Sequence, residues 1–298
     1  MCGLAGFFGK NKPNVGLERD LLNMGNAIAH RGPDDSGIWH AKNKFSIGFV
    51  HRRLSILDLS KAGHQPMTSS SSRYVISYNG EIYNHLELRQ LIDEKTDFKQ
   101  IWRGYSDTET LLACIEIFGV QEALNRIVGM FAFALWDCKH NSLILARDRM
   151  GEKPMYYGLQ SDTLLFGSDL KSLKQHPDFQ GEINREAIAL LMRYGYIPAP
   201  SSIYTGIYKL PPGSYIIFES PKSLAKPKYY WNIANVANSS NHNNYPHSYE
   251  HAVNKLDVLL GDSVEGQMIS DVPIGTFLSG GIDSTVITAL AQSRSENP

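Results

Sequence analysis

Met1-Cys2-Gly3-Leu4-Ala5-Gly6-Phe7-Phe8-Gly9-Lys10 opens the chain with a thiol at the second position, followed by an apolar run that reads as a buried strand. Methionine is readily removed before a small residue. Cys2 would then lead the mature chain and carry both a thiol and a free α-amine. An α-amine titrates near ~7.7–8.0 and a thiol near ~8.5, so the amine is matched to accept the thiol proton at neutral pH. Working outward, residues 17–30 place Leu17, Leu21, Met24 and Ile28 at helical spacing until Arg31-Gly32-Pro33-Asp34-Asp35-Ser36-Gly37 breaks the pattern. Strand-like runs bounded by turn residues follow at 45–52, 73–78, 130–137, 142–147 and 163–167. Helix-like segments occur at 86–92 and from Ser106-Asp107-Thr108-Glu109, which predicts Ser106 as an N-cap and Glu109 as its capping-box partner. Strands grouped between helices predict a layered α+β domain.

A length of 298 residues predicts two units, and 42% hydrophobic with 20% charged residues suits a chain with a sizeable core. Lys plus Arg (29) balances Asp plus Glu (30), leaving no large positive field for nucleic acid or an anionic membrane surface. Apolar runs such as 130–136 fall far short of the roughly 20 residues a membrane-spanning helix needs. No basic, extended leader precedes the first strand, so a cytoplasmic location is expected. Cys2, Cys114 and Cys138 form no CxxC pair, which argues against a disulfide framework or a zinc site. Cys114 and Cys138 read as small buried hydrophobes.

Past the helix-like residues 185–193, the breakers at 196–200 and Pro211-Pro212-Gly213 end the regular pattern, and residues 232–248 are polar, as a connector should be. An amphipathic stretch at 249–268 then leads to an apolar, strand-like run at 274–278. The loop Ser279-Gly280-Gly281-Ile282-Asp283-Ser284 and a helix-like run at 285–292 follow. Two glycines after a strand let backbone N–H groups converge on phosphate oxygens, with the positive end of the next helix aimed at the same anion. Ser279 and Ser284 add hydroxyls, and Asp283 is a candidate ligand for Mg²⁺. The expected division is a first domain at 2–214, a connector at 215–247, and at 248–298 the start of a second, α/β domain, without room for its partner strands.

Seven motifs occur in order: Cys2-Gly3-Leu4-Ala5-Gly6, His30-Arg31-Gly32-Pro33-Asp34, Arg53-Leu54-Ser55-Ile56, Asn79-Gly80-Glu81-Ile82-Tyr83-Asn84, Ser106-Asp107-Thr108-Glu109, Gly129-Met130-Phe131-Ala132-Phe133-Ala134 and Arg147-Asp148-Arg149. Together they resemble class II glutamine amidotransferase domains. The Ser279–Ser284 loop, after Ser270-Asp271-Val272-Pro273-Ile274-Gly275, resembles the pyrophosphate loop of ATP pyrophosphatases, which implies that 248–298 is the truncated start of an α/β adenine-nucleotide-binding domain. The pair of resemblances points to the family of glutamine-hydrolysing asparagine synthetases. It implies a four-layer αββα N-terminal-nucleophile hydrolase sandwich in which Cys2 is the nucleophile and Asn79 and Gly80 supply an oxyanion site.

The resemblance further implies that Arg53 receives the glutamine α-carboxylate through a fork of donors, with Leu54, Ser55, Ile56 and Leu57 lining the same subsite. Asp107, assisted by Glu81, would receive the α-ammonium, and Arg31 would support the pocket. Leu278, Ser279, Gly280, Gly281, Ile282, Asp283 and Ser284 would hold ATP with Mg²⁺. The implied partners are L-glutamine, ATP and L-aspartate, with a homodimer as the candidate assembly. Taken alone, Asn79-Gly80 also reads as a turn dipeptide and Asp107 as a helix-start carboxylate. Two other functions stay open on these residues. One is amidation of another carboxylate such as a sugar uronic acid, and the other is a non-catalytic regulatory domain.

Overall fold

All seven residues of β1 (Gly3–Gly9) are buried. A strand hidden on both faces has to lie inside a stack of layers, and the computed structural model, which describes residues 1–95, 101–240 and 248–295, places it there. β1 pairs antiparallel with β3 (Ser46–Arg53) on one side and β9 (Thr163–Gly167) on the other. β2 (Asp35–Lys42) lies beyond β3, and β8 (Tyr156–Gln160) and β10 (Tyr208–Lys209) beyond β9. The second six-stranded sheet runs β12 (Lys228–Tyr229), β11 (Ser214–Phe218), β7 (Ser142–Arg147), β6 (Gly129–Asp137), β5 (Tyr74–Ile82), β4 (Met67–Thr68).

The two-residue period of each strand sorts side chains between layers. Leu4 and Phe8 of β1 and Ile47 and Phe49 of β3 meet Val75, Ala134, Trp136 and Leu145 of the other sheet in a core between the sheets. Residues of opposite parity, Ala5, Phe7 and Val50, pack on Leu17, Leu21 and Met24 of α1 (Asn14–Asn26) and Leu173 of α5 (Leu170–Leu173). The outer face of the second sheet, with Ile76, Tyr78, Phe131 and Phe133, is covered by α2 (His85–Lys95), α3 (Asp107–Phe118) and α4 (Val120–Arg126). The layers are therefore αββα, the expected α+β sandwich. By the same parity, Cys2 falls on the inter-sheet side with Leu4, and Asn79 and Glu81 fall there with Val75.

Several local expectations are corrected. Asn79 and Gly80 lie inside β5, opposite Ala132 and Phe131 of β6, and form no turn. Ser106 does cap α3, its hydroxyl accepting from the Glu109 N–H at 3.4 Å. The Glu109 carboxylate does not reciprocate: it accepts from the N–H groups of Arg103 and Gly104 at 3.0 and 3.1 Å, so only half of the capping box forms. Cys114 is buried but Cys138 is exposed, because the chain turns immediately after β6. β11, within the stretch assigned to the connector, pairs with β7 from Tyr215↔Ala146 to Phe218↔Leu143. The first compact unit consequently runs from Met1 to Asn232, past the expected boundary at 214.

From Ile233 onward the second unit contains α7 (Ile233–Ser240), a helix within the expected connector, then α8 (Tyr249–Gly266) and α9 (Ile282–Arg294). Residues 241–247 of the expected connector, and Pro298, lie outside the described residues. Residues 274–278 are not a strand. An apolar run forms a ladder only against a neighbouring strand, and the second unit has none among its described residues. No helix of the described residues is long and apolar enough to cross a membrane. α6 (Arg185–Tyr194) belongs to the first unit and is capped by Asn184, which accepts from the Glu186 and Ala187 N–H groups.

Candidate functional site

A cavity of about 180 Å³ brings together Cys2, Arg53, Asn79, Gly80, Glu81 and Asp107. Leu54, Ile56 and Leu57 line it as well; Ser55 does not, and its N–H donates instead to Asp34 Oδ2 at 2.8 Å.

Cys2 stands just before β1. Its Sγ accepts from the Leu54 N–H at 3.3 Å and donates to the Leu54 carbonyl at 3.4 Å. The Arg53-Leu54 pair thus serves two ends of the site at once. Arg31 Nε donates to the Cys2 carbonyl at 3.1 Å, which is the supporting role expected of it. Burial pushes the thiol above the ordinary thiol range, and the Leu54 N–H and the nearby amino terminus only partly oppose this. A standing thiolate is therefore disfavoured, and attack requires a base. With Met1 in place the nitrogen of Cys2 is an amide. The free amine then belongs to Met1, where burial lowers its pKa against the opposing pull of Cys2, with Arg31 and Lys153 adding to the decrease.

Asn79 is 1% exposed, and its Nδ2 has no hydrogen-bond partner among the described residues. Buried amides are nearly always paired, so this one marks a place for an external acceptor. At Gly80 a Cβ would fall against the Met130 carbonyl and 2.7 Å from Phe131 Cα. The close approach that excludes a side chain there comes from β6.

Arg53 is buried at the end of β3. Its Nη1 donates to the Ser60 carbonyl at 3.1 Å, and its Nη2 donates to the carbonyls of Leu57 and Asp58. Five N–H groups exist on a guanidinium. Both on Nη2 are engaged, so in this arrangement Arg53 offers single N–H groups rather than the expected fork. It forms no ion pair within 4 Å among the described residues, although its charge lowers the Asp58 and Asp35 carboxyls from farther off.

Asp107 is the first residue of α3, where the helix dipole favours a carboxylate. Its Oδ2 accepts from the Tyr78 hydroxyl at 2.7 Å and the Ile82 N–H at 2.9 Å. Burial nevertheless raises its pKa above the ordinary 3.8, the hydrogen bonds opposing. The Glu81 carboxyl is likewise raised by burial, with Lys153 pulling it down and Asp107 adding to the rise.

Lining residues missed from sequence include Tyr78, Gln65 and Lys153. Gln65 accepts from the Tyr78 N–H at 2.7 Å and donates to the Thr108 hydroxyl at 3.3 Å, bracing β5 against the start of α3. Lys153 is only 7% exposed. Its N–H donates to Asp148 Oδ2 at 3.0 Å and its carbonyl accepts from Arg147 Nε at 2.7 Å, so the Arg147-Asp148-Arg149 motif fixes it. That motif was the available signal for Lys153; Tyr78 carried none beyond its place in a strand.

In the second unit, the Ser279 and Ser284 hydroxyls lie 3.0 Å apart and Gly280 adopts a φ of 84°. The backbone N–H groups of Gly280, Gly281, Ile282 and Asp283 find no protein acceptor among the described residues. A cluster of unsatisfied N–H groups with two hydroxyls at a helix start fits a polyphosphate. The single carboxylate of Asp283 fits Mg²⁺ held jointly with phosphates, the usual way this ion is bound.

The Cys2 thiol, the unpaired Asn79 amide, the Arg53 guanidinium and the Asp107 carboxyl line one small cavity in an αββα sandwich. A family model described as a glutamine amidotransferase domain matches residues 1–231, and the chain belongs to that family. A second model, described as asparagine synthase, matches residues 255–298. The chain is 35% identical to asparagine synthetase [glutamine-hydrolyzing] 3 of Bacillus subtilis over 99% of its own length and 46% of that protein. It is also 35% identical to the putative asparagine synthetase [glutamine-hydrolyzing] 2 of Methanocaldococcus jannaschii, over 97% of this chain and 56% of that one. It therefore spans about half the length of these relatives. Among solved structures, the B. subtilis glutamine phosphoribosylpyrophosphate amidotransferase superimposes with a TM-score of 0.54 at 17% identity, covering 77% of this chain and 49% of that chain. This likeness concerns the fold.

Proposed function

We propose that the first unit hydrolyses glutamine and that the ammonia released serves an ATP-dependent amidation. The observation that carries the reading is the unpaired Asn79 amide within one cavity with the Cys2 thiol, the Arg53 cation and the Asp107 carboxylate. Once Met1 is removed, the Cys2 α-amine takes the thiol proton and Sγ attacks the side-chain amide carbon of glutamine. The developing oxyanion is met by Asn79 Nδ2 and the Gly80 N–H. Ammonia leaves, and water hydrolyses the γ-glutamyl thioester to glutamate. Arg53 receives the α-carboxylate and Asp107, with Glu81, the α-ammonium.

For the second half of the reaction, the proposal places the opening of a synthetase domain at 248–298. Its support is the asparagine synthase match and the names of the relatives. The Leu278–Ser284 segment would cradle the phosphates of ATP, Asp283 would contribute to Mg²⁺, and aspartate would be activated as its β-adenylate and converted to asparagine. Mg²⁺ would neutralise phosphate charge there.

The decisive experiment supplies glutamine to the chain beginning at Cys2 and measures glutamate and ammonia. Stoichiometric release is expected, and a folded, inactive protein overturns the glutaminase reading. Asn79→Ala removes one oxyanion donor and is expected to lower kcat about 10²- to 10³-fold with KM little changed. An unchanged kcat would remove Asn79 from the oxyanion site. With the chain extended to the length of its relatives, asparagine, AMP and pyrophosphate are expected from ATP and aspartate. Amidation of a uronate in place of aspartate would overturn the acceptor.

A further inference from the structure

The segment that grips Arg53 is joined to the segment leading into α3 by one carboxylate. Asp58 is fully buried and has a φ of 57°, a left-handed conformation accessible to Asp, Asn and Gly but strained for most residues. Its Oδ2 accepts from the Tyr105 N–H at 2.9 Å. Oδ1 accepts from the Ser60 N–H at 3.1 Å and the Ser60 hydroxyl at 2.5 Å, and the Asp58 carbonyl accepts from Arg53 Nη2.

The far side of this junction is built to receive it. A Cβ at Gly104 would strike Asp58 Oδ2 and lie 2.7 Å from Ala62 Cβ, so only glycine lets the two backbones approach this closely. Arg89 holds the same segment from behind, donating to the carbonyls of Gly104 and Ser106 at 2.9 and 3.0 Å. Burial alone would raise the Asp58 carboxyl, but the bonds from Ser60 and Tyr105 prevail and keep it below its ordinary 3.8.

We infer that Asp58 is a positioning residue for the amide donor, tying residues 57–60, which orient Arg53, to residues 104–106, which set the start of α3 and Asp107. The two charge-receiving groups are thereby kept at one separation, as recognition of both charged ends of an α-amino acid requires. This rests on the assignment of Arg53 and Asp107 to those ends. Asp58 does not line the cavity, so its effect falls on binding rather than on bond cleavage.

The test uses the chain beginning at Cys2 with Asp58→Gly, which tolerates the left-handed backbone but lacks the carboxylate, and Asp58→Asn, which keeps the shape and one carbonyl oxygen. For Asp58→Gly, KM for glutamine should rise at least about tenfold, as for loss of a charge-assisted hydrogen bond, with kcat within about threefold of wild type. Alkylation of Cys2 by iodoacetamide should be unchanged, and Asp58→Asn should recover part of the affinity. Amide exchange in residues 54–62 and 103–107 should accelerate together in Asp58→Gly. An unchanged KM with wild-type exchange overturns the inference, as does an equal fall in kcat and alkylation. A wild-type chain that hydrolyses no glutamine defeats the functional reading instead; the latch is then judged by exchange alone, supported by a joint acceleration and overturned without one.

Discussion

Cys2→Ala is expected to abolish glutamine hydrolysis, with a fall on the order of 10⁶-fold, the scale seen when a hydrolase loses its nucleophile. The fold should survive. Cys2 precedes β1, and the hydrogen bonds of its side chain among the described residues are the pair with the Leu54 backbone. Near-wild-type thermal unfolding is therefore expected beside the lost activity. Blocking removal of Met1 should be nearly as damaging while leaving the thiol in place, because an amide nitrogen has no basic lone pair. Burial pushes the thiol up, and the amine that a retained Met1 presents is one residue removed from the thiol it would have to serve. Mass spectrometry of active material should show a chain beginning at Cys2. Full activity in a preparation that retains Met1 would rule out the amine as the base.

Cys2 could be singled out as the proposed nucleophile because a thiol at position 2 makes chemical sense and becomes specific beside the ordered motifs that follow it. Long central strands were also legible. Residues 45–52 and 130–137 are apolar enough to announce themselves, whereas β2, with the polar sequence Asp35–Lys42 at a sheet edge, is not. The Asn79-Gly80 pair misled as a turn because local preference was read without β6, whose pairing decides its conformation. The carbonyl cage around Arg53 left no mark in the sequence either. Backbone acceptors belong to every residue, and only the path of residues 57–60 brings three of them to one guanidinium. Tyr78 and Gln65 join the site by the same kind of relation: each is placed by a strand or loop and then meets α3 across the fold.

Asp107→Asn isolates charge from architecture. The hydrogen bonds from the Tyr78 hydroxyl and the Ile82 N–H end on Oδ2, so an asparagine with its oxygen in that position keeps them. What is lost is the negative charge proposed to face the ammonium of glutamine in a buried site. Breaking one side of such a desolvated pair costs about 2–5 kcal/mol, and kcat/KM for glutamine should fall roughly 30- to 5,000-fold. Alkylation of Cys2 by iodoacetamide, which has no α-amino group, should be little affected. The pH profile gives an independent reading. Burial raises the Asp107 pKa, so as pH falls the charge is lost while still above the ordinary carboxylate value of 3.8, and the acid limb of kcat/KM should lie on that side. In Asp107→Asn this limb should disappear together with the affinity. Equal losses in glutamine turnover and in alkylation would instead place Asp107 in the catalytic machinery or in folding, and its assignment to substrate recognition would fall.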